Sequence, residues 1–358
     1  MITQVTFENF RGLKKLDLPE LSQITLFTGK NNAGKSSILE GLFLLMDHSA
    51  PESFVKISNY RGVLVRMEPS SLWEPAFYGL NTKNSIRITA AIDGEYCSLI
   101  YDKDNNFVPA DNIGVDQSTL NQFIAASRSN YSLKYQYQQG DYTEEGYFST
   151  NGAGHFKNIH TSLPNNQIRL MPGTLYLNSV TLFNGIESMV SDWLSQLELN
   201  GKKESIVESL KYLEKDITNL LTITKQGQVQ VFAKIADQTL PVRLSGDGLY
   251  RLFYILLVIM SHPDSIVLID EIETGFHYSM LETLWKLITE AAKENNCQVI
   301  ATTHSYECIQ NAVDAMNKAG FEKNFCMYRI EHKDGMNQAY RYDGELARLS
   351  VDMNMEVR

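Results

Sequence analysis

The residues from Gly29 to Ser36, GKNNAGKS, combine glycine, lysine and serine at a spacing that suits the binding of phosphate groups. Gly29 and Gly34 allow sharp backbone turns that direct successive N–H groups inward. Lys35 can place a positive charge on the β- and γ-phosphates, and Ser36 can offer its hydroxyl to Mg²⁺. This pattern predicts the binding of a nucleoside triphosphate if a strand precedes it and a helix follows.

The flanking sequence supplies both elements. An apolar run from Ile24 to Phe27 precedes the motif, and a helix is predicted to follow it as far as about Met46. The start of that helix adds the positive end of its dipole to the phosphate site. The candidate nucleotide-binding residues of this segment are Gly29, Asn31, Asn32, Ala33, Gly34, Lys35, Ser36 and Ser37.

A pair of carboxylates follows a second apolar strand, in SIVLIDEIE. We expect this strand to lie beside the phosphate-loop strand in a parallel sheet. Asp270 at its end is then the second candidate metal ligand after Ser36, and Glu271 is placed to orient or deprotonate a water molecule. Glu273 is either a surface carboxylate or one that supports the other two.

Two further motifs suit the same chemistry. The strand VIATTHS ends at His304, where an imidazole can donate a hydrogen bond to a γ-phosphate. In LSGDGLYR, Ser245 and Gly246 open a helix and form, with Gly248, a second anion-binding terminus. Since the chain already has one such terminus for its own phosphates, we interpret this one as binding the nucleotide held by another copy. The alternative is that Ser245 simply caps its helix.

The element pattern predicts an α/β nucleotide-binding core made of residues 1–50 and 225–358. Residues 51–185 read as an antiparallel β lobe, and 186–224 as a short helical hairpin arm broken at Asn200-Gly201. Lys202 and Lys203 at its tip are either solvated or contact nucleic acid or a partner. The apolar run 252–260 is predicted to be a buried helix, and a short tail follows the last strand.

Composition narrows the class of protein. The 358 residues carry a net charge of −10, which argues against a broadly basic, nucleic-acid-coating surface. The 4 cysteines form no C-x-x-C pair and read as reduced thiols. The chain starts with a strand pattern rather than a signal peptide, and its longest apolar run is too short to cross a bilayer. We therefore expect a cytoplasmic protein.

The four motifs in this order resemble the ABC-type ATPase heads of the SMC, RecF and OLD kind. The segments FENFRG, GKNNAGKSS, LSGDGLYR, IDEIETGFHYSML and ATTHSYEC are most similar to the bacterial AAA-15 and AAA-21 ATP-binding proteins found in anti-phage defence modules. The resemblance covers about the first 46 residues and 240–310. It implies a P-loop NTPase fold with an ABC-ATPase-type core, a mixed sheet flanked by helices.

The resemblance also implies roles and partners. Such heads form head-to-tail dimers around two Mg·ATP molecules, with Ser245 reaching the γ-phosphate held by the partner's Lys35; higher oligomers are compatible with this. Arg11 matches a loop that approaches the nucleotide, and His277 occupies a position where OLD-like heads commonly carry histidine. The resemblance also implies a Q-loop glutamine between 60 and 180. Four glutamines are candidates for this position: Gln136, Gln138, Gln139 and Gln167.

Three functions remain open at this point. The interval from Lys35 to Ser245 has no long heptad region, and the 54 residues after His304 carry no clustered carboxylates of a nuclease. The chain is therefore expected to be the ATPase subunit of an abortive-infection-type defence system, with a nuclease or other toxin as a separately encoded effector. The alternatives are a RecF-like ATPase that clamps DNA and a scaffold whose ATP turnover is negligible.

Overall fold

The computed structural model describes residues 1–62, 72–103, 132–150, 156–162, 173–177, 187–225, 227–333, 335–353 and 355–357. The chain folds into two compact units. The first contains residues 1–21, 31–171 and 330–339, and the second contains 22–30, 172–329 and 340–358.

The strands of the described residues are numbered in chain order. They are β1 (Ile2–Phe10), β2 (Leu13–Leu18), β3 (Ile24–Thr28), β4 (Ile86–Ile92), β5 (Glu95–Asp102), β6 (Ser132–Gln139), β7 (Tyr142–Thr150), β8 (Phe156–Ser162), β9 (Thr174–Leu177), β10 (Ile217–Lys225), β11 (Gln228–Ile235), β12 (Gln238–Pro241), β13 (Ile266–Ile269), β14 (Gln298–Thr302), β15 (Phe325–Lys333) and β16 (Met336–Asp343).

The α-helices of the same residues are numbered likewise. They are α1 (Lys35–Met46), α2 (Glu52–Tyr60), α3 (Glu187–Leu199), α4 (Lys203–Leu210), α5 (Asp247–Ser261), α6 (Leu281–Glu294), α7 (Tyr306–Lys318) and α8 (Gly344–Asp352).

The first unit is built on a sheet in the order β2-β1-β4-β5-β6-β7-β8, in which every neighbouring pair is antiparallel. The predicted antiparallel β lobe is therefore present. It includes β1 and β2, which the sequence pattern grouped with the nucleotide-binding core, because strand alternation does not reveal which sheet a strand joins. The lobe also holds α1, the helix that follows the phosphate-binding motif.

Buried charges hold α1 in the first unit. Glu40 is 1% exposed and forms ion pairs with Arg11 at 2.7 Å and with Arg61 at 2.6 Å. Just after the helix, His48 lies 3.2 Å from the buried carboxylate of Glu144. Burial raises the pKa of Glu144, but hydrogen bonds from His48 and two tyrosines outweigh it and set the pKa at about 2. These partners let the Glu144 carboxylate sit in the interior as an anion.

The second unit contains the α/β core. Its main sheet has the order β16-β15-β3-β14-β13-β9, and the pairs from β15 to β9 are parallel. The sequence prediction that the strand before Asp270 lies beside the phosphate-loop strand is wrong, because β14 lies between them. Strands β13 and β14 are both buried along their whole length, so their composition cannot order them.

Helices of the second unit cover this sheet. The predicted buried helix is confirmed as part of α5, whose residues from Leu249 to Met260 are all buried. The predicted tail is in part the helix α8, which begins where Asp343 accepts a hydrogen bond from the backbone N–H of Leu346 at 2.9 Å. This short cap was not recognised because only nine residues of helix follow it.

The predicted helical arm is only partly helical. α3 and α4 are present, but both place apolar side chains in the core of the second unit, and residues from Ile217 form the strand β10. The segment 217–225 has helix-like apolar spacing, but its β-branched residues favour a strand, and β11 supplies an antiparallel partner. The side chains of Lys202 and Lys203 bond to Asn295 and Glu198.

Candidate active site

Three parallel strands of the second unit end at one edge of its sheet. β3, β14 and β13 are neighbours in that order, so their carboxyl ends lie on the same side. The phosphate loop, Gly29–Ser36, leaves from the end of β3, while His304 follows β14 and Asp270 follows β13. The sequence therefore delivers the start of the loop, an imidazole and a carboxylate to one edge, where open α/β sheets bind ligands.

The second glycine of the phosphate loop, Gly34, has a backbone conformation and close neighbours that disfavour any other residue. Gly34 has φ 104°, and a Cβ atom there would lie 2.6 Å from Leu13 Cδ2. The Nδ2 of buried Asn337 donates a hydrogen bond to the carbonyl of Ala33 at 3.1 Å, which holds the loop at the residue before Gly34. Asn337 was not singled out in the sequence, because a lone asparagine in a strand gives no signal of its contact 304 residues away.

The loop leads directly into α1, as expected for a phosphate site. Gly34 occupies the N-cap position and has no side chain that could compete for the first backbone N–H groups. Lys35 is 9% exposed and Ser37 is 5% exposed, whereas Ser36 is half-buried. Asn31 and Asn32 are exposed at the tip of the loop, and Asn32 has a left-handed backbone with φ 66°.

The carboxylate of Asp270 is oriented by two hydroxyls. Thr302 donates from Oγ1 to Asp270 Oδ1 at 2.5 Å, and Tyr176 donates from its OH to Oδ2 at 3.3 Å. Both partners come from neighbouring strands, β14 and β9. Sequence reasoning missed them, because a Thr and a Tyr within strands read as ordinary strand residues. The half-buried carboxylate is a hard oxygen donor, of the kind that Mg²⁺ prefers.

The backbone of Glu271 is held in a strained conformation. Its φ is 49°, in the left-handed region, which costs a non-glycine residue on the order of 1 kcal/mol. Its N–H donates to Thr302 Oγ1 at 2.9 Å, and its carbonyl accepts from the Thr274 N–H at 3.0 Å and from Arg251 Nη2 at 2.7 Å. The carboxylate itself is exposed, with Thr274 Oγ1 at 3.4 Å from Oε2. The surroundings thus fix the main chain and leave the carboxylate facing solvent.

Glu273 supports His304. Its Oε1 accepts a hydrogen bond from the His304 backbone N–H at 3.1 Å and lies 3.3 Å from Nδ1 of the ring. The Glu273 side chain is 12% exposed, whereas the His304 side chain is 49% exposed. Of the two roles left open for Glu273, the structure therefore favours the supporting one, because the carboxylate orients the imidazole.

The signature turn, Ser245–Gly248, does not use Ser245 as a helix cap. Ser245 Oγ donates to the carbonyl of Pro241 at 3.2 Å, and the N-cap position of α5 belongs to Gly246, which has no side chain. A Cβ atom at Gly248 would lie 2.9 Å from the carbonyl oxygen of Gly275, so only glycine fits there. The turn is therefore packed against the segment that precedes His277, and Gly246 remains exposed.

The remaining residues that the family resemblance singled out are Arg11, His277 and the candidate Q-loop glutamines. Arg11 has its guanidinium against Glu40 and is largely buried, with φ 50°. His277 is exposed, with Nδ1 at 2.9 Å from Ser279 Oγ. Three of the four competing glutamines lie on β6 in the antiparallel lobe, and the fourth lies outside the described residues: Gln136, Gln138, Gln139 and Gln167.

The two candidate metal ligands both carry oxygen donors. The hydroxyl of Ser36 and the carboxylate of Asp270 are each of the kind that Mg²⁺ accepts, and Mg²⁺ typically keeps waters and substrate phosphates as further ligands. The described residues contain no cluster of three or more His, Cys, Asp or Glu side chains that could hold a metal. Among the same residues, no helix is long and apolar enough to cross a membrane.

Comparisons with known proteins identify relatives of this chain. The chain is 26% identical over 372 aligned residues to an "ATP/GTP phosphatase" of Helicobacter pylori, covering 96% of each chain. It is 35% identical over 125 residues to an uncharacterised protein of Methanocaldococcus jannaschii, covering 32% of this chain and 53% of that one.

Solved structures show the fold. An Smc head bound to the C-winged helix domain of ScpA matches with a TM-score of 0.53 at 14% identity, covering 96% of this chain and 98% of that one. An Smc head with an extended coiled coil from Pyrococcus furiosus matches with a TM-score of 0.53 at 13% identity, covering 99% of both chains. The fold is that of an ABC-type ATPase head, as the sequence predicts.

A family model covers most of the chain, residues 24–309, a range that includes the phosphate loop, the signature turn, Asp270 and His304. The chain therefore belongs to the AAA_21 family, described as "AAA domain, putative AbiEii toxin, Type IV TA system".

Proposed function

We propose that this chain is the ATPase subunit of a bacterial anti-phage system of the abortive-infection type, which hydrolyses ATP slowly between two copies and controls a separately encoded effector. The observation that carries the ATPase assignment is the common sheet edge at which the phosphate loop, Asp270 and His304 follow adjacent parallel strands. The name of the Helicobacter relative, an ATP/GTP phosphatase, supports the same reaction.

The chemistry assigns one task to each residue. Lys35 and the backbone of the phosphate loop hold the triphosphate, and Ser36 and Asp270 hold Mg²⁺, which when bound neutralises charge on the β- and γ-oxygens. Glu271 orients the attacking water and accepts its proton. His304, oriented by Glu273, contacts the γ-phosphate.

Two copies are needed because each site is incomplete in one chain. In this proposal Ser245, Gly246 and Gly248 bind the γ-phosphate held by the other copy. The supporting observation is that the start of α5 has no side-chain cap and is exposed at Gly246. The neighbouring Leu244 is 74% exposed and Tyr278 is 67% exposed, which are apolar surfaces that a second copy would cover. Arg11 completes the nucleotide contacts in this proposal.

The defence role rests on the family description, which names a toxin of a type IV toxin–antitoxin system. In this proposal the chain works in the cytoplasm, where phage replicate. The RecF-like alternative is disfavoured by the net charge of −10 and by the lysines at 202 and 203, whose ammonium groups already have partners within the chain. A salt-dependent affinity of the isolated chain for DNA would favour that alternative instead.

The replacement Ser245→Arg is expected to abolish ATP-dependent dimerisation, because a long cation at the signature turn blocks the phosphate of the other copy. The measurement is the mass in solution by light scattering, with and without Mg·ATP, in a Glu271→Gln background that retains ATP. We expect a dimer with ATP and a monomer for the Ser245→Arg protein.

The matched control is Ser205→Arg, which adds the same side chain at an exposed position of α4. It should dimerise like the parent. If the Ser245→Arg protein also dimerises with ATP, the composite site is wrong.

For the defence role, cells carrying the chain with its genomic neighbour should resist phage, and Lys35→Ala should remove that resistance. Resistance retained in Lys35→Ala would contradict the defence role. Resistance retained in Glu271→Gln would favour the scaffold alternative.

A further inference from the structure

A buried arginine on the signature helix contacts the backbone of both acidic residues at the end of β13. Arg251 lies one turn into α5 and is 4% exposed. Its Nη2 atom donates to the carbonyl of Asp270 at 3.0 Å and to the carbonyl of Glu271 at 2.7 Å. One nitrogen atom therefore bonds to the carbonyl oxygens of two successive residues, Asp270 and Glu271. The second of these residues carries the proposed water-orienting carboxylate.

These bonds act where the backbone is strained. Glu271 has φ 49°, a conformation that a non-glycine residue keeps only if its surroundings impose it. Thr302 Oγ1 accepts from the Glu271 N–H at 2.9 Å on one side, and Arg251 holds the carbonyl on the other. The direction of the Cα–Cβ bond, and so of the carboxylate, follows from both contacts.

A purely structural role explains Arg251 less well. A buried guanidinium loses its hydration, and this burial lowers the pKa of Arg251, which the nearby Glu273, Glu271 and Asp270 carboxylates oppose. Its Nε has no hydrogen-bond partner among the described residues. An apolar side chain would fill the same volume without these penalties, so the two carbonyl contacts are the function that the arginine serves.

We propose that Arg251 is a positioning residue for ATP hydrolysis, which sets the direction of the Glu271 carboxylate through its backbone. This inference rests on the proposed function, because it needs Glu271 to orient the water. Arg251 also lies beside the signature turn: a Cβ at Gly275 would lie 3.7 Å from Arg251 Cδ, and Gly275 contacts Gly248. Arg251 thus links α5, whose start faces the second copy in the proposed dimer, to Glu271 of its own chain.

The test is Arg251→Lys, which keeps the charge but places its one nitrogen a bond short of the Nη2 position, from which Arg251 donates to both carbonyls. We expect kcat to fall about 10-fold or more, while KM and the Kd for ATP change less than about twofold, because binding groups are untouched. Arg251→Met should lower kcat further. If Arg251→Met does not fold, the lysine variant, checked by its unfolding temperature, still decides.

The matched control is Arg348→Lys, since Arg348 also donates to an oxygen acceptor, Asn317 Oδ1 at 3.1 Å, and links α8 to α7 rather than α5 to the end of β13. It should keep the parental kcat. Rates are measured across protein concentrations up to saturation of the dimer: a loss that disappears at saturation would mean that Arg251 acts on assembly, and would overturn the proposal. In the Glu271→Gln background, Arg251→Lys should cause no further loss.

The two possible failures are distinguishable. If Glu271→Gln lowers kcat and Arg251→Lys does not, only the role of Arg251 is wrong. If Glu271→Gln itself hydrolyses ATP at the parental rate, the proposed function of the site is wrong.

Discussion

Replacing Glu271 with glutamine is expected to lower kcat for ATP hydrolysis at least about 100-fold, the usual contribution of a positioned base. Glutamine keeps the size of the side chain and the backbone contacts to Thr302 and Arg251, but it cannot accept a proton from water. Affinity for ATP should stay within about threefold of the parent, because Glu271 orients water rather than phosphate. Phosphate release under single-turnover conditions and a titration with labelled ATP measure the two quantities.

The control for that variant is Glu294→Gln, which makes the same chemical change at an exposed position near the end of α6. It should leave kcat unchanged. A Glu271→Gln protein that hydrolyses ATP at the parental rate would show that another group orients the water.

Replacing Lys35 with alanine is expected to abolish detectable ATP binding, a loss of affinity on the order of 100-fold from one charge-assisted contact. Lys35 is 9% exposed and is the first residue of α1, where the proposed site places its ammonium group on the phosphates. Calorimetric titration with Mg·ATP measures the loss, and the unfolding temperature without nucleotide shows that the fold is retained.

Lys30→Ala is the matched control for Lys35→Ala. Lys30 lies in the same loop, five positions earlier, and its side chain is exposed. ATP affinity should change less than about threefold, since the motif assigns no phosphate contact to that position. If both variants lose binding equally, the loss reflects damage to the loop rather than the charge of Lys35.

Sequence alone predicted the strands and the helix that carry the candidate site residues. The strand before the phosphate loop, the helix that begins at Lys35, and the strands that end before Asp270 and His304 all lie where the pattern placed them. Glycine spacing and short apolar runs determine these elements locally, within a few residues. For the same reason the antiparallel strands between Ile86 and Thr150 were recognised from alternation and turn residues.

Contacts between distant parts of the chain could not be predicted. Thr302 bonds to Asp270 from 32 residues away, and Tyr176 does so from 94 residues away. Their residue types are common in any strand, and the order in which parallel strands pair is not written in their composition. The same holds for Arg251, which lies within an otherwise apolar helix and whose partners are backbone carbonyls.

The central claim is that each ATP site is completed by a second copy, and mixing two inactive variants tests it most directly. Lys35→Ala and Ser245→Arg proteins are each expected to be inactive. In a mixed dimer, one site combines the intact Lys35 and Glu271 of the Ser245→Arg chain with the intact Ser245 of the other. Since neither variant is expected to dimerise with itself, the dimers of a 1:1 mixture are mixed ones with one good site each. The mixture should therefore recover up to about half of the parental ATPase activity.

The control mixture is Lys35→Ala with Glu271→Gln. Both changes affect groups that act on the chain's own nucleotide, so no site in the mixed dimer is intact, and no activity should return. Recovery in the first mixture and not in the second is the result that we predict. No recovery in the first mixture, with mixed dimers demonstrated by differently tagged chains, would contradict the composite site.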